Sequence, residues 1–165
     1  MKTSQRAYIA GLLDGDGCIM LQLRQRSDFR FLFRPKTVVI LYQESRHHED
    51  IQYIQSMIGA GYVYKRNDHM SEYRLEGHKQ VKDLLVKLKP HVLFKQKQLE
   101  FMLKAITILQ KRKYSLDDFL RVCNLSDLIA RQNYSTSARK YSASYVRSRL
   151  QDKGLVPVTT GVITH

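Results

Sequence analysis

Two acids and two glycines alternate in Asp14-Gly15-Asp16-Gly17, immediately after a helix-forming apolar run from Ala7 to Leu13. A helix ending here turns its negative macrodipole end toward both carboxylates, which costs about 0.3–1 kcal/mol for each acid. Local propensity does not favour acids at such a position, so something positive must compensate. A hard divalent cation fits, because it takes carboxylates and backbone carbonyls, and a glycine-rich helix end supplies both. An EF-hand loop is the obvious rival for D-x-D-G. It fails here, since Cys18 and Ile19 occupy ligand and glycine positions and Gln25 stands where the bidentate Glu belongs. A plain helix-stop turn with solvated acids is the other alternative. Ala10 and Gly11 add small residues to one face of the helix, as close helix–helix contact requires. Other metal chemistry has little support. Cys18 and Cys123 form no paired zinc spacing and read as two reduced thiols, and the six histidines are scattered apart from His47-His48.

The elements that must position these residues follow from periodicity. Thr3 or Ser4 can cap the first helix, and Gly15 and Gly17 stop it. Cys18 to Gln25 alternates, with Ile19, Leu21 and Leu23 opposite Met20, Gln22 and Arg24, which predicts a half-buried strand. After a turn at Arg26-Ser27-Asp28, a longer strand is expected over Phe29 to Tyr42. It would carry Phe31, Phe33, Thr37, Val39 and Leu41 on one side, and Arg30, Arg34, Lys36, Val38 and Ile40 on the other, with Pro35 at an edge or bulge. Ser45 can cap a helix marked by Ile51, Ile54 and Ile58. Tyr62 to Arg66 and Ser71 to Leu75 form a hairpin across Asn67-Asp68. Helices are expected over Lys79 to Leu88, Gln96 to Leu109, Leu116 to Arg131 (capped by Ser115) and Ala143 to Leu150. Residues 1–153 read as one domain and 154–165 as a loosely held tail. The order α-β-β-α-β-β-α with extra C-terminal helices is an α+β class: one four-stranded antiparallel sheet with helices on a single face.

Such a sheet leaves its other face open, and charge suggests what covers it. The chain holds 28 Lys and Arg against 15 Asp and Glu, a net charge of +13. Self-repulsion of that size is relieved by a polyanion. No apolar run approaches the roughly 20 residues that span a bilayer, so nucleic acid is preferred to membrane. No secretory signal is read at the N-terminus. The open face would carry Gln22, Arg24, Arg30, Arg34, Lys36, Arg66 and Arg74, with Asp28 and Glu72 outnumbered, a surface suited to a DNA groove.

Ile9-Ala10-Gly11-Leu12-Leu13-Asp14-Gly15-Asp16-Gly17 resembles, position by position, the motif of the LAGLIDADG homing endonucleases. One copy is present, as in the homodimeric members. The resemblance continues through Gly59-Ala60-Gly61-Tyr62-Val63, through Lys89-Pro90 with Phe94-Lys95-Gln96-Lys97-Gln98, and through Asp118-Phe119-Leu120-Arg121-Val122-Cys123.

The resemblance implies a metal-dependent DNA endonuclease cutting long, nearly palindromic sites in double-stranded DNA and leaving 3′ overhangs, so promoting intron mobility. Two motif helices would meet at the dimer axis through Tyr8, Ala10, Gly11 and Leu12, bringing one Asp16 from each subunit together. Two such charges about 4 Å apart repel by roughly 4 kcal/mol at an effective dielectric near 20, and bridging Mg²⁺ (or Mn²⁺, with Ca²⁺ binding without supporting cleavage) relieves this. Asp16 and the Gly15 carbonyl match the metal ligands, with Asp14 supporting the turn. Gln43 matches a water-orienting position, and Lys95 a basic residue near the scissile phosphate that stabilises developing charge. His47 matches another basic residue of the water shell. For DNA contact the family pattern and residue chemistry nominate Gln22, Arg24, Arg26, Arg30, Arg34, Lys36, Tyr64, Arg66, Glu72, Arg74 and Lys97, with Val38 and Ile40 meeting thymine methyls. Ser137, Arg139 and Lys140 would take phosphates. The same analogy implies an organelle, mitochondrion or chloroplast. An intron-RNA-binding maturase, a non-catalytic DNA-binding regulator and a plain basic structural domain remain as rivals.

Overall fold

The computed structural model of the chain describes residues 1–133 and 140–157. The elements run α1 (Thr3–Asp16), β1 (Gly17–Gln25), β2 (Phe33–Glu44), a 3₁₀ turn (Ser45–His47), α2 (His48–Ile58), β3 (Tyr62–Lys65), β4 (Met70–Glu76), α3 (His78–Leu88), α4 (Gln96–Leu109), α5 (Leu116–Gln132) and α6 (Ala143–Asp152). The four strands form one antiparallel sheet in the order β1-β2-β4-β3. The inward residues Ile19, Leu21, Val39, Leu41, Tyr73 and Leu75 join α1, α3, α4 and α5 in one apolar core, which leaves the opposite face of the sheet without a helix. Among the described residues, no helix is long and apolar enough to cross a membrane.

Several boundaries differ from the sequence expectation for local reasons. The first helix starts at Thr3 instead of being capped there, its first turn closed by the Lys2 N–H on Gln5 Oε1 at 2.8 Å. The second strand begins at Phe33, not Phe29. Residues 26–32 fold into a compact connection, with the Arg26 N–H on the Leu32 carbonyl at 2.8 Å and Leu32 at φ +61°. Phe31 turns inward there and stacks on Phe119, ring centres 5.0 Å apart, so Arg30 lies in this connection and its guanidinium covers the Phe31 ring. Ser45 opens the 3₁₀ turn, and α2 is capped at His47. Pro35 is tolerated in what becomes a central strand because β4 joins β2 only from Val38 onward, so Pro35 has β1 on one side alone.

A second apolar cluster holds the far end of the β1–β2 hairpin. Leu23, Phe31 and Phe33 pack there against Phe119, Cys123, Val146 and Leu150. Val156 joins them, so the chain folds back onto the domain just past Gly154, where the Leu155 N–H meets the Leu150 carbonyl at 2.9 Å. Helix α5 also lies along the outer edge of β1: the Ser126 hydroxyl donates to the Leu21 carbonyl, and Asn133 Nδ2 to the Ile19 carbonyl at 3.1 Å.

Candidate active site and nucleic-acid surface

Helix α1 ends where β1 begins, and the turn between them admits only glycine. A Cβ on Gly17 would lie 2.7 Å from the Leu13 Cα and carbonyl oxygen. The two acids before it meet different fates. The Asp14 carboxylate is fully engaged: Oδ2 accepts the Leu93 N–H at 2.6 Å and Oδ1 the Lys95 N–H at 3.0 Å. The Lys95 ammonium reaches back to the Asp14 carbonyl at 2.6 Å, and Lys95 is only 7% exposed. A lysine at the start of α4 opposes that helix's dipole, but its charge is delivered to the negative end of α1, where it is favourable. The helix end therefore has its compensating cation from within the chain.

Asp16 stays exposed, its Oδ2 held by Gln43 Nε2 at 3.1 Å. Gly15, Asp16, Gly17, Tyr42, Gln43, Glu44 and Met70 line an open depression of about 450 Å³. Of its two carboxylates Glu44 is held by Arg46 at 2.6 Å, which leaves Asp16 with the neighbouring main-chain carbonyls as donors, all hard oxygens, which suits Mg²⁺ or Ca²⁺ and not zinc. Among the described residues no group of three or more His, Cys, Asp or Glu forms a metal cage. At Cys18, next to Gly17 on β1, burial pushes the thiol up against the weaker downward pull of Lys95, which disfavours the thiolate. His47 lines instead the neighbouring cleft between α1 and α2, with Nδ1 and Asp50 Oδ2 2.9 Å apart.

The motif helix shows an exposed strip at Tyr8 and Gly11, with Leu12 half-buried and nothing within 4 Å of a Cβ on Gly11. Ala10, expected on that strip, is instead fully buried, because the 3.6-residue period turns it with Ile9 and Leu13 into the core. Exposed apolar side chains gather around the strip. Leu93 (75% exposed) and Phe94 (81%) project from the loop that Asp14 anchors, and Tyr53 is exposed across a cleft of about 540 Å³ between α1 and α2.

On the open sheet face, Gln22, Arg24, Arg34, Lys36, Tyr64, Arg66 and Arg74 come together, and Arg26 and Arg30 lie at the hairpin end. Val38 and Ile40 share that face but do not offer surface: they are 0% and 1% exposed. They sit mid-sheet on β2, opposite Met20 and Cys18 on one side and Glu76 and Arg74 on the other, so that the longer side chains of Met20, Glu76 and Arg74 flank them. Glu72 is also withdrawn, 3% exposed, between Arg66 and Arg74. Lys97 is exposed on α4, and the exposed Lys140 lies over the Tyr141 ring. Ser137 and Arg139 fall outside the described residues. Sequence periodicity did not reveal Glu76, the bridge from Asp14 to residues 93–95, or the exposure of Leu93 and Phe94. The Lys at an unfavourable helix start was the one signal that pointed to that bridge.

Residues 9–108 match the family described as LAGLIDADG endonuclease. The chain belongs to the LAGLIDADG endonucleases. It is 34% identical over 143 residues to DNA endonuclease I-CreI of Chlamydomonas reinhardtii, covering 87% of this chain and 86% of that one. To DNA endonuclease I-CvuI of Chlorella vulgaris it is 34% identical over 107 residues, 65% of this chain and 66% of that one. The fold agrees as well. The structure of I-CvuI in complex with its target in the presence of Ca superposes with a TM-score of 0.87 at 29% identity, covering 93% of this chain and 97% of that chain. I-CvuI has also been crystallised in the presence of Mg on the I-CreI target, with the DNA not cleaved. The archaeal I-Vdi141I, complexed with DNA, shares the fold with a TM-score of 0.80 at 17% identity, over 93% of this chain and 98% of its own. The LAGLIDADG assignment makes this chain a DNA-cleaving hydrolase of the homing endonuclease type.

Proposed function

We propose that this LAGLIDADG endonuclease acts as a homodimer that cuts both strands of a long, near-palindromic DNA site, leaving 3′ overhangs, at a divalent-metal centre assembled from two copies of Asp16. The observation that carries the proposal is the contrast at the end of α1. Asp14 is consumed by structure, whereas Asp16 is exposed and keeps Oδ1 open, on a helix whose outer strip is flat at Gly11 and bordered by Leu93 and Phe94. An exposed apolar rim around a small-residue helix face supports burial against a second copy. Juxtaposition of two such ends completes the half-set of oxygen ligands.

In the assembled site, Asp16 and the Gly15 carbonyl would hold the cation, and Gln43 fixes Asp16 through its amide N–H. The Gln43 carbonyl oxygen is then left to accept a hydrogen bond from an incoming water and orient it. Lys95 is a positioning residue: it locks the last turn of α1 through the Asp14 carbonyl. When bound, the divalent cation lowers the pKa of water and neutralises charge building on the phosphate. Major-groove recognition is assigned to Gln22, Arg24, Arg34, Lys36, Arg66 and Arg74, with Arg suited to guanine and Gln to adenine.

A Mg²⁺-dependent cleavage screen against a randomised, near-palindromic duplex library tests this. Wild type should select a site, and Asp16→Asn should bind it without cutting. Cutting that survives the substitution or the removal of metal by EDTA sinks the proposal. One observation favours an additional intron-RNA activity: the rings of Tyr62 and Tyr64 are stacked, 6.0 Å apart and exposed at the sheet edge, where unpaired bases can stack. Loss of RNA binding in Tyr62→Ala with DNA cleavage intact is its expected signature.

A further inference from the structure

The open face does not present its cations singly. Arg66 holds Asp68 through Nε and NH2 (3.1 and 2.7 Å) and reaches Glu72 through NH1 at 3.3 Å. The other oxygen of Glu72 takes Arg74 NH1 at 3.1 Å. Arg74 Nε meets Glu76 Oε1 at 2.6 Å, and Glu76 Oε2 takes Lys36 Nζ at 2.8 Å. Asp68, Arg66, Glu72, Arg74, Glu76 and Lys36 thus form one row of alternating sign, three anions and three cations, on a chain whose total charge is +13. The acids are shared between neighbouring cations, and no acceptor among the described residues is bonded to Arg74 NH2. Lys36 keeps two of its three donors.

We propose that Glu72 and Glu76 determine the sequence specificity of this face. They act as positioning residues, holding Arg66, Arg74 and Lys36 as one coupled reader of guanine-bearing base pairs that carries no net charge toward the phosphates. The physics has three parts. A free Arg or Lys gives up rotamer freedom when it docks, and a row already fixed loses less of it. The donors left over match acceptor-rich edges, and guanine O6 and N7 are those edges in the major groove. A cation already paired with an acid displaces little of the counterion atmosphere of DNA, so the row adds specificity without adding indiscriminate affinity. Because each Glu is shared, displacing one cation disturbs the next, and adjacent base pairs are read together and not one by one.

The proposal rests on the open face being the DNA surface, so the test carries arms for both. Glu76 is partly exposed near the end of β4, and Glu76→Gln should fold; Glu72→Gln is the second variant. Each is titrated with a duplex of random sequence across a range of salt, and each is put through selection from a randomised near-palindromic duplex library. Each variant should bind random duplex several-fold tighter at low salt, with a log–log salt slope steeper by about one, since one net positive charge is released to the phosphates. The guanine preference under the row should fall roughly 10-fold, and the non-additivity between adjacent positions should shrink. A role confined to holding the fold would lower the melting temperature and leave slope and preference where they were. An unchanged slope and an unchanged selected sequence in Glu76→Gln overturn the proposal. If Arg24→Ala and Arg34→Ala, outside the row, leave wild-type binding intact, the proposal is overturned at its base, because the face itself is then not the DNA surface.

Discussion

Replacing Asp14 with Asn exchanges one carboxylate oxygen for an NH₂ group in a site built from two N–H donors. The Leu93 N–H lies 2.6 Å from one oxygen and the Lys95 N–H 3.0 Å from the other. Asn keeps one acceptor and points a donor at the second N–H, so one hydrogen bond to a charged group, about 1.5–3 kcal/mol, is lost. Relief of the repulsion between an acid and the helix C-terminus returns about 0.3–1 kcal/mol. The net loss is about 0.5–2.7 kcal/mol, and at about 2–4 °C per kcal/mol for a chain of this size the melting temperature falls by roughly 1–11 °C. Two residues further on, the same change has the opposite sign. Asp16 is exposed, its carboxylate takes one bond from Gln43 at 3.1 Å, and Asn preserves an acceptor for it while shedding the dipole repulsion. Asp16→Asn should therefore melt with wild type or a few degrees above it. It should lose at least about 10³-fold in cleavage, the several kcal/mol that a bound metal contributes. Thermal unfolding followed by circular dichroism without metal, together with Mg²⁺-dependent cleavage of the selected duplex, separates the two. Equal melting of Asp14→Asn and wild type, or an Asp16→Asn that is as destabilised as Asp14→Asn, refutes the division of labour between the two acids.

Other outcomes follow from the same structure. Gly17→Ala places a methyl 2.7 Å from Leu13 backbone atoms and should cost about 1–3 kcal/mol or fail to fold, checked by urea unfolding. Leu93→Ser with Phe94→Ser removes the apolar rim, and gel filtration should show the dimer dissociating at concentrations where wild type stays associated. A dimer of unchanged affinity rules the rim out as interface. Glu76 gives a pH signature. Burial pushes its carboxyl up, but hydrogen bonds from Arg74 and Lys36 outweigh that and hold it below its ordinary value. A depressed folded-state pKa means the contribution is whole above the unfolded value of about 4.5 and disappears as pH falls through the folded one. The stability gap between wild type and Glu76→Gln should accordingly be full above that unfolded value and close as pH falls below it, and a gap independent of pH contradicts the ion-pair origin.

The fold was legible where one period governed a whole element. Helix α4 runs from Gln96 to Leu109 as the spacing of Leu99, Met102 and Ile106 requires, and α5 starts after Ser115, whose hydroxyl accepts the Asp118 N–H at 3.1 Å. Legibility failed where tertiary partners decide. Phe29 to Leu32 carries strand-forming side chains, yet Phe119 draws Phe31 inward and the strand starts later. Alternation correctly put Val38 and Ile40 on the face without helices. It could not tell that they would be buried between longer neighbours from two other strands. The motif residues were visible as a helix end carrying acids it should not favour. The separation of Asp14 from Asp16 was not visible, because the N–H donors that claim Asp14 come from a loop some eighty residues away.

The hydrogen bonds from Ser126 and Asn133 to the carbonyls of Leu21 and Ile19 have a consequence for assembly. They occupy main-chain acceptors that a foreign strand would need in order to add itself beside β1, so α5 acts as a selvedge on that side of the sheet. The opposite margin is β3, four residues ending in a lysine, too short to template a neighbour. Copies of this protein are thereby steered away from strand-to-strand accretion, and a protomer that meets another must do so through helices and loops.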